Sequence, residues 1–218
     1  MKKLTFWEEM YKGHELLWGL EPDNTLVEYA RLIPKGNVLD LGIGEGRNAF
    51  FFAKKGYVVE GVDISQKAIE KCRTWAKRAH LKIKAKVRDL RKIEIAQGKY
   101  SLIIAAWMLN FFKRKEVEEI VVKIKKGLKK DSFVYLVVFS PRDPSYKKNK
   151  QTLKMVEKNT FYSRKRKSYM YYLTKRDVLS LFKDFKVIYC VEGIALDISH
   201  GNKPHYHGVI IYMGQKCK

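Results

Sequence analysis

The stretch Val38-Leu39-Asp40-Leu41-Gly42-Ile43-Gly44-Glu45-Gly46-Arg47-Asn48 (VLDLGIGEGRN) decides the fold. An apolar strand runs into three glycines at alternate positions. Arg47 to Lys55 then carries Ala49, Phe50, Phe51, Phe52 and Ala53 before Gly56, which can close a helix. Strand, glycine loop and helix, in that order, form the opening unit of a parallel α/β sheet.

The unit recurs along the chain. Tyr57 to Val62 reads as a strand ending at Asp63, and Ser65 can cap a helix whose buried face is Ala68, Ile69, Cys72 and Ala76. Leu81 to Val87 gives a third strand, ending at Asp89, and Tyr100 to Ala106 a fourth. Glu116 to Leu128 is an amphipathic helix, and Phe133 to Phe139 is apolar throughout, as a strand buried on both faces should be. Thr5 to Tyr11 and Thr25 to Ile33 have helical spacing, so residues 1–35 form a helical preface with the turn Leu17 to Pro22 between the two helices.

Residues 141–170 break the alternation, with ten basic and two acidic residues interleaved with Tyr146, Phe161, Tyr162 and Tyr169. A segment of that kind is expected to be a lid, a binding loop or disordered. Leu173 to Phe182 returns to helix with Thr174 as its cap. Lys186 to Glu192 and Tyr206 to Met213 are two strands too close in sequence for a crossover helix, hence an antiparallel hairpin. The 218 residues suit one domain spanning 1–218.

The formal charge of +22 comes from 34 Lys and 11 Arg against 23 acidic residues, spread along the chain. A solvated, thermophile-like surface explains it more simply than a nucleic-acid footprint. Cys72, Cys190 and Cys217 are odd in number and widely spaced, which points to a reduced, cytoplasmic protein without a zinc knuckle. The longest apolar run, Leu102 to Phe112, is too short for a bilayer.

Three ligands suit such a glycine loop: nucleotide phosphates, a dinucleotide pyrophosphate, or a nucleoside bearing an amino acid. A phosphate loop needs lysine and a hydroxyl after its last glycine, where this chain has Arg47 and Asn48. The dinucleotide fingerprint is G-x-G-x-x-G, whereas this loop is G-x-G-x-G with Asp40 before it and Glu45 inside it. Two carboxylates repel pyrophosphate and suit a zwitterionic amino acid attached to a sulfonium. Asp63 is placed to accept hydrogen bonds from ribose hydroxyls, and Asp89 to meet an adenine amino group.

The run NVLDLGIGEGRNAFFFAKKGYVVEGVDISQKAIEKC, with VRDL after it, resembles the class I S-adenosylmethionine-dependent methyltransferases, and within them the tellurite-resistance and thiopurine-type branch. ELLWGLEP and YYLTKRDVLSLFKDF extend the likeness over most of the chain. The resemblance implies a Rossmann-like, doubly wound, seven-stranded sheet with an antiparallel last strand. It implies contacts to S-adenosyl-L-methionine, and to its product S-adenosyl-L-homocysteine, from Trp18, Asp40, Gly42, Gly44, Gly46, Asn48, Asp63, Ile64, Asp89, Leu90, Ala106 and Trp107. Ile43 departs from the small residue or cysteine of many relatives and is expected to be tolerated.

Methyl transfer from a sulfonium is an in-line displacement in which positioning supplies much of the rate, so no dedicated catalytic residue is required. His200, His205 and His207 are the candidate catalytic groups, since His205 and His207, two apart on a strand, share a face. No carboxylate completes a ligand motif beside them, so no metal is expected. After the fourth strand Ala106-Trp107-Met108-Leu109-Asn110 stands where methylases of base amino groups carry an Asn-Pro-Pro-Tyr-like turn. The expected acceptor is therefore a small molecule such as a thiol or chalcogen oxyanion, with the basic insert as its lid. An RNA acceptor held by that insert is the alternative, and a non-catalytic cofactor- or nucleic-acid-binding protein a second.

Overall fold

The computed structural model describes residues 6–13, 15–164, 166–198 and 204–217. The preface supplies α1 (Phe6–Lys12) and α2 (Asn24–Tyr29). There follow β1 (Asn37–Leu41), α3 (Arg47–Lys54), β2 (Val58–Asp63), α4 (Gln66–Arg78), β3 (Ile83–Val87) and β4 (Tyr100–Ala106). Next come α5 (Arg114–Gly127), β5 (Leu128–Phe139), α6 (Pro144–Thr152), β6 (Lys154–Glu157), β7 (Thr160–Ser163) and β8 (Ser168–Tyr171). The chain closes with α7 (Lys175–Leu181), β9 (Phe185–Asp197) and β10 (His205–Lys216).

Seven strands form one sheet in the order β3-β2-β1-β4-β5-β10-β9. The pairs among β1 to β5 are parallel, while β10 runs antiparallel to both β5 and β9, as the hairpin reading requires. Successive side chains of a strand point to opposite faces, and the sheet uses both. Ile103 and Ala105 of β4, with Val134, Leu136 and Val138 of β5, pack under α5 and α7, while Leu102, Ile104, Phe133, Tyr135 and Val137 pack under α2, α3 and α4. Ser65 caps α4 by accepting the Ala68 N–H, and Thr174 and Asp177 cap α7 reciprocally.

Two expectations need correction. The hairpin strands are longer than their apolar runs, because β9 continues to Asp197 and β10 begins at His205. Cross-strand pairing holds the extra residues although half of their side chains face water. The insert is neither a loop nor disordered: it folds as α6 and a three-stranded antiparallel sheet. Its rings are largely spent on a core of its own, where buried Phe161, Met170 and Tyr172 pack with Tyr146, Leu153, Phe111 and Phe139. Among the described residues no helix is long and apolar enough to cross a membrane.

Candidate active site

The loop between β1 and α3 is set by hydrogen bonds that glycine alone permits. The N–H groups of Gly42 and Ile43 both donate to the Val62 carbonyl, at 2.8 and 3.0 Å, which turns the chain sharply off the end of β1. Gly46 caps α3 with φ +101°, and a Cβ there would lie 2.8 Å from Phe50 and 2.9 Å from Cys72 Sγ. A side chain at this position is excluded by conformation and by space. Ile43 is accommodated because Gly61 in the neighbouring strand has no Cβ. One added there would stand 2.3 Å from Ile43 Cδ1.

Asp40 and Asp63 converge on this loop from the carboxyl ends of adjacent strands. Asp63 is buried, and its carboxylate accepts the Gly44 N–H at 3.1 Å and the Ser65 N–H at 2.9 Å. Burial nonetheless pushes its pKa up to about 6, against the lowering effect of those hydrogen bonds. Asp40 is 4% exposed, and burial, reinforced by Asp23, pushes it to about 7 despite nearby Arg47. Ile64, the residue after Asp63, keeps 40% of its surface exposed beside them.

Several sequence-predicted residues have partners within the protein. Asn48 is committed to the preface, since Asp23 N–H donates to its Oδ1 at 2.9 Å and its Nδ2 donates to the Asp23 carboxylate at 3.3 Å. Arg47 completes that clasp with an ion pair to Asp23 at 2.6 Å. The Asp89 carboxylate takes the Arg91 guanidinium on both oxygens and caps the turn Leu90–Lys92, which holds it below the usual carboxylate range. Leu90 is buried in the core. Glu45, which weighed against pyrophosphate, turns inward: it accepts the N–H groups of Leu17 and Trp18 and pairs with Lys71. Trp18 is thereby carried to the loop, its indole N–H donating to Tyr11 Oη at 3.1 Å.

A second wall rises from the ends of β4 and β5 and the start of β10. Ala106 ends β4, and Trp107 follows with φ +61°, a left-handed backbone uncommon for a bulky residue. Its ring lies 5.2 Å from Phe139 and 5.8 Å from His207. His207 Nδ1 is 2.9 Å from Asp143 Oδ2, a carboxylate that also accepts the N–H groups of Gly208 and Ser145. Burial raises the Asp143 pKa, but the hydrogen bonds from His207 and Ser145 outweigh it and hold the carboxyl below its usual value. An ionised carboxylate only accepts, so Nδ1 carries the hydrogen. Nε2 lies 3.7 Å from Asp197 Oδ2, and the His205 ring is 4.8 Å from that of His207. His200 lies outside the described residues. Asp23 and Asp143 are the participants that local sequence signals did not single out.

A glycine loop between the first strand and helix, with buried acids at adjacent strand ends of this sheet order, is the arrangement of the class I methyltransferase fold. Residues 38–131 match the methyltransferase domain family. The chain is 29% identical over 101 residues to the probable S-adenosyl-L-methionine-dependent methyltransferase TehB of Haemophilus influenzae, covering 46% of this chain and 35% of that one. The chain thus spans about a third of that curated relative's length. The crystal structure of Haemophilus influenzae TehB superposes with a TM-score of 0.71 at 17% identity, over 89% of this chain and 62% of that one. A Burkholderia thailandensis 1,6-didemethyltoxoflavin-N1-methyltransferase, solved with its substrate and S-adenosylhomocysteine, superposes at 0.66 with 15% identity, over 89% and 76%. At these identities the superpositions speak for the fold.

Proposed function

We propose that the chain transfers the methyl group of S-adenosylmethionine to a small acceptor lying between the glycine loop and the wall of Trp107, Phe139 and His207. The carrying observation is the pair of buried carboxylates, Asp40 and Asp63, beside a loop whose other carboxylate is already satisfied. In the reaction the acceptor lone pair forms the new bond to carbon as the bond to the sulfonium breaks. Its electrons return to sulfur and leave neutral S-adenosylhomocysteine. A soft acceptor that is already ionised, a thiolate or chalcogen oxyanion, needs no base. Trp107 offers a face to the cationic donor, worth about 1–2 kcal/mol when desolvated.

The insert 141–170 serves in this reading as the cover of the acceptor, anchored by Asp143 at its start. An RNA acceptor is disfavoured because Phe161 and Tyr146, rings that could have stacked on bases, are engaged in the insert's own core.

Calorimetry with S-adenosylmethionine, S-adenosylhomocysteine and NAD tests the cofactor assignment. Asp63→Ala is expected to weaken both sulfur ligands roughly 10- to 100-fold, about 1–3 kcal/mol. Asp89→Ala, already satisfied by Arg91 at the surface, should change affinity by less than about threefold. Equal losses in the two variants, or NAD binding in preference, would overturn the placement.

The raised carboxyl pKa values give a second expectation. A cationic ligand favours ionised carboxylates, so cofactor binding expels protons from Asp40 and Asp63 below about pH 7 and 6. Affinity should rise with pH by up to about tenfold per unit for each proton released, then level off above about pH 7. In the free protein the sign is opposite. Unfolded carboxyls ionise near their ordinary values, so these two groups cost stability progressively from about pH 4 to 7. Affinity that is flat across this window would place the cation elsewhere.

A further inference from the structure

We propose that the loop end of the β9–β10 hairpin binds a divalent cation of the zinc class through Asp197, His205 and His207. The strand register builds this set. His205 is paired directly with Asp197, and His207, two residues on, points to the same side of β10. Their ligating atoms all lie within 4.8 Å of one another. In a tetrahedral zinc site with bonds of about 2.0–2.1 Å, donors stand roughly 3.3 Å apart. The 3.7 Å between His207 Nε2 and Asp197 Oδ2 is a few tenths of an ångström from that spacing.

The independent support is the group behind the histidine. Metal-bound histidines characteristically donate their other ring N–H to a carboxylate, which fixes the tautomer and aims the free nitrogen at the ion. Asp143 does this for His207 at 2.9 Å and is itself fixed by the N–H groups of Gly208 and Ser145. Two imidazoles and one carboxylate suit zinc and its borderline neighbours rather than magnesium or calcium, which prefer all-oxygen shells. Three protein donors leave a fourth position for an exchangeable ligand. With His207 only 5.8 Å from Trp107, that position borders the proposed acceptor wall, but the cation site itself does not depend on methyl transfer.

The untagged, chelator-treated chain should be titrated with Zn2+ against a chromophoric chelator and with Co2+ by visible absorption, both without cofactor. One ion per chain with a tetrahedral cobalt spectrum is expected. His205→Ala and Asp197→Ala should each weaken uptake at least about 100-fold, and Asp143→Asn about 10- to 100-fold, through His207 alone. Exposed His80→Ala and Cys217→Ser should leave uptake unchanged, with circular dichroism confirming that each variant is folded. Failure of the wild-type chain to retain an ion at micromolar free metal would overturn the proposal. Uptake by His205→Ala and Asp197→Ala at the parent's affinity would do the same.

Discussion

Glu45→Ala should lower stability by roughly 3 kcal/mol, which for a chain of this size corresponds to a fall in Tm of about 6–12 °C. The side chain is 2% exposed and occupies the junction of three elements. It receives the Leu17 N–H at 2.8 Å and the Trp18 N–H at 3.1 Å, and it neutralises Lys71, whose side chain is 14% exposed. Truncation removes the carboxylate shared by two backbone donors and an ammonium group at once. The ammonium can reach water more readily than a fully buried one, which keeps the cost nearer the lower end for a broken buried pair. Glu45→Gln retains one acceptor oxygen for the N–H groups and loses the ion pair, so it should recover about half of the loss. Because Trp18 reaches the glycine loop through these bonds, cofactor affinity should drop in the alanine variant even where it is fully folded. Thermal unfolding with and without saturating S-adenosylmethionine reads both effects. A Tm within about 1 °C of the parent would mean that the preface is held by its other contacts, the Asp23 clasp to Asn48 and Arg47 included.

The same carboxylate shows where sequence reading reaches its limit. The alternating strand and helix pattern, the caps at Ser65 and Thr174 and the end of α3 at Gly56 are local signals, and the structure carries each of them. Glu45 read as a ligand-facing acid because its true partners stand 28 and 27 residues earlier. The Asn48 partner, Asp23, was hidden for the same reason, lying 25 residues before it. The aromatic spacing of the insert fits base stacking and a small core equally well, and only the pairing of β6, β7 and β8 decides between them. At the hairpin, two histidines on one face were visible, but the carboxylate opposite them was not. Asp197 becomes a neighbour only once the register pairs it with His205, and Asp143 only once β10 is laid along β5, 64 residues from His207 in sequence.

Gly208→Ala tests that last arrangement most severely. The residue sits in β10 directly after His207, and its φ is not left-handed, so conformation is not the constraint. Space is. A Cβ at this position would stand 2.0 Å from the Asp143 nitrogen and 2.3 Å from the Arg142 carbonyl carbon, backbone atoms that cannot rotate aside. Ordinary contact needs about 3.5 Å, so either the strand or the turn must retreat by more than an ångström. The turn is clasped to this same peptide group: Ser140 N–H donates to the Gly208 carbonyl at 2.8 Å, and Gly208 N–H donates to Asp143 at 3.1 Å. Retreat therefore breaks the bonds that position Asp143, and with them the hydrogen bond that fixes the His207 tautomer. The expected cost is about 3 kcal/mol, at the upper end for overpacking, with loss of the protonated-Nδ1 signature of His207 in 15N NMR spectra. Gly193→Ala is the matched control, because it replaces a glycine in the paired strand with nothing within 4 Å of the new Cβ. It should stay within about 0.5 kcal/mol of the parent and keep the tautomer. Should both variants behave alike, the close approach of β10 to the Arg142–Asp143 turn is not what orients His207, and the histidine must be held by its ring contacts with Phe139 and Trp107 instead.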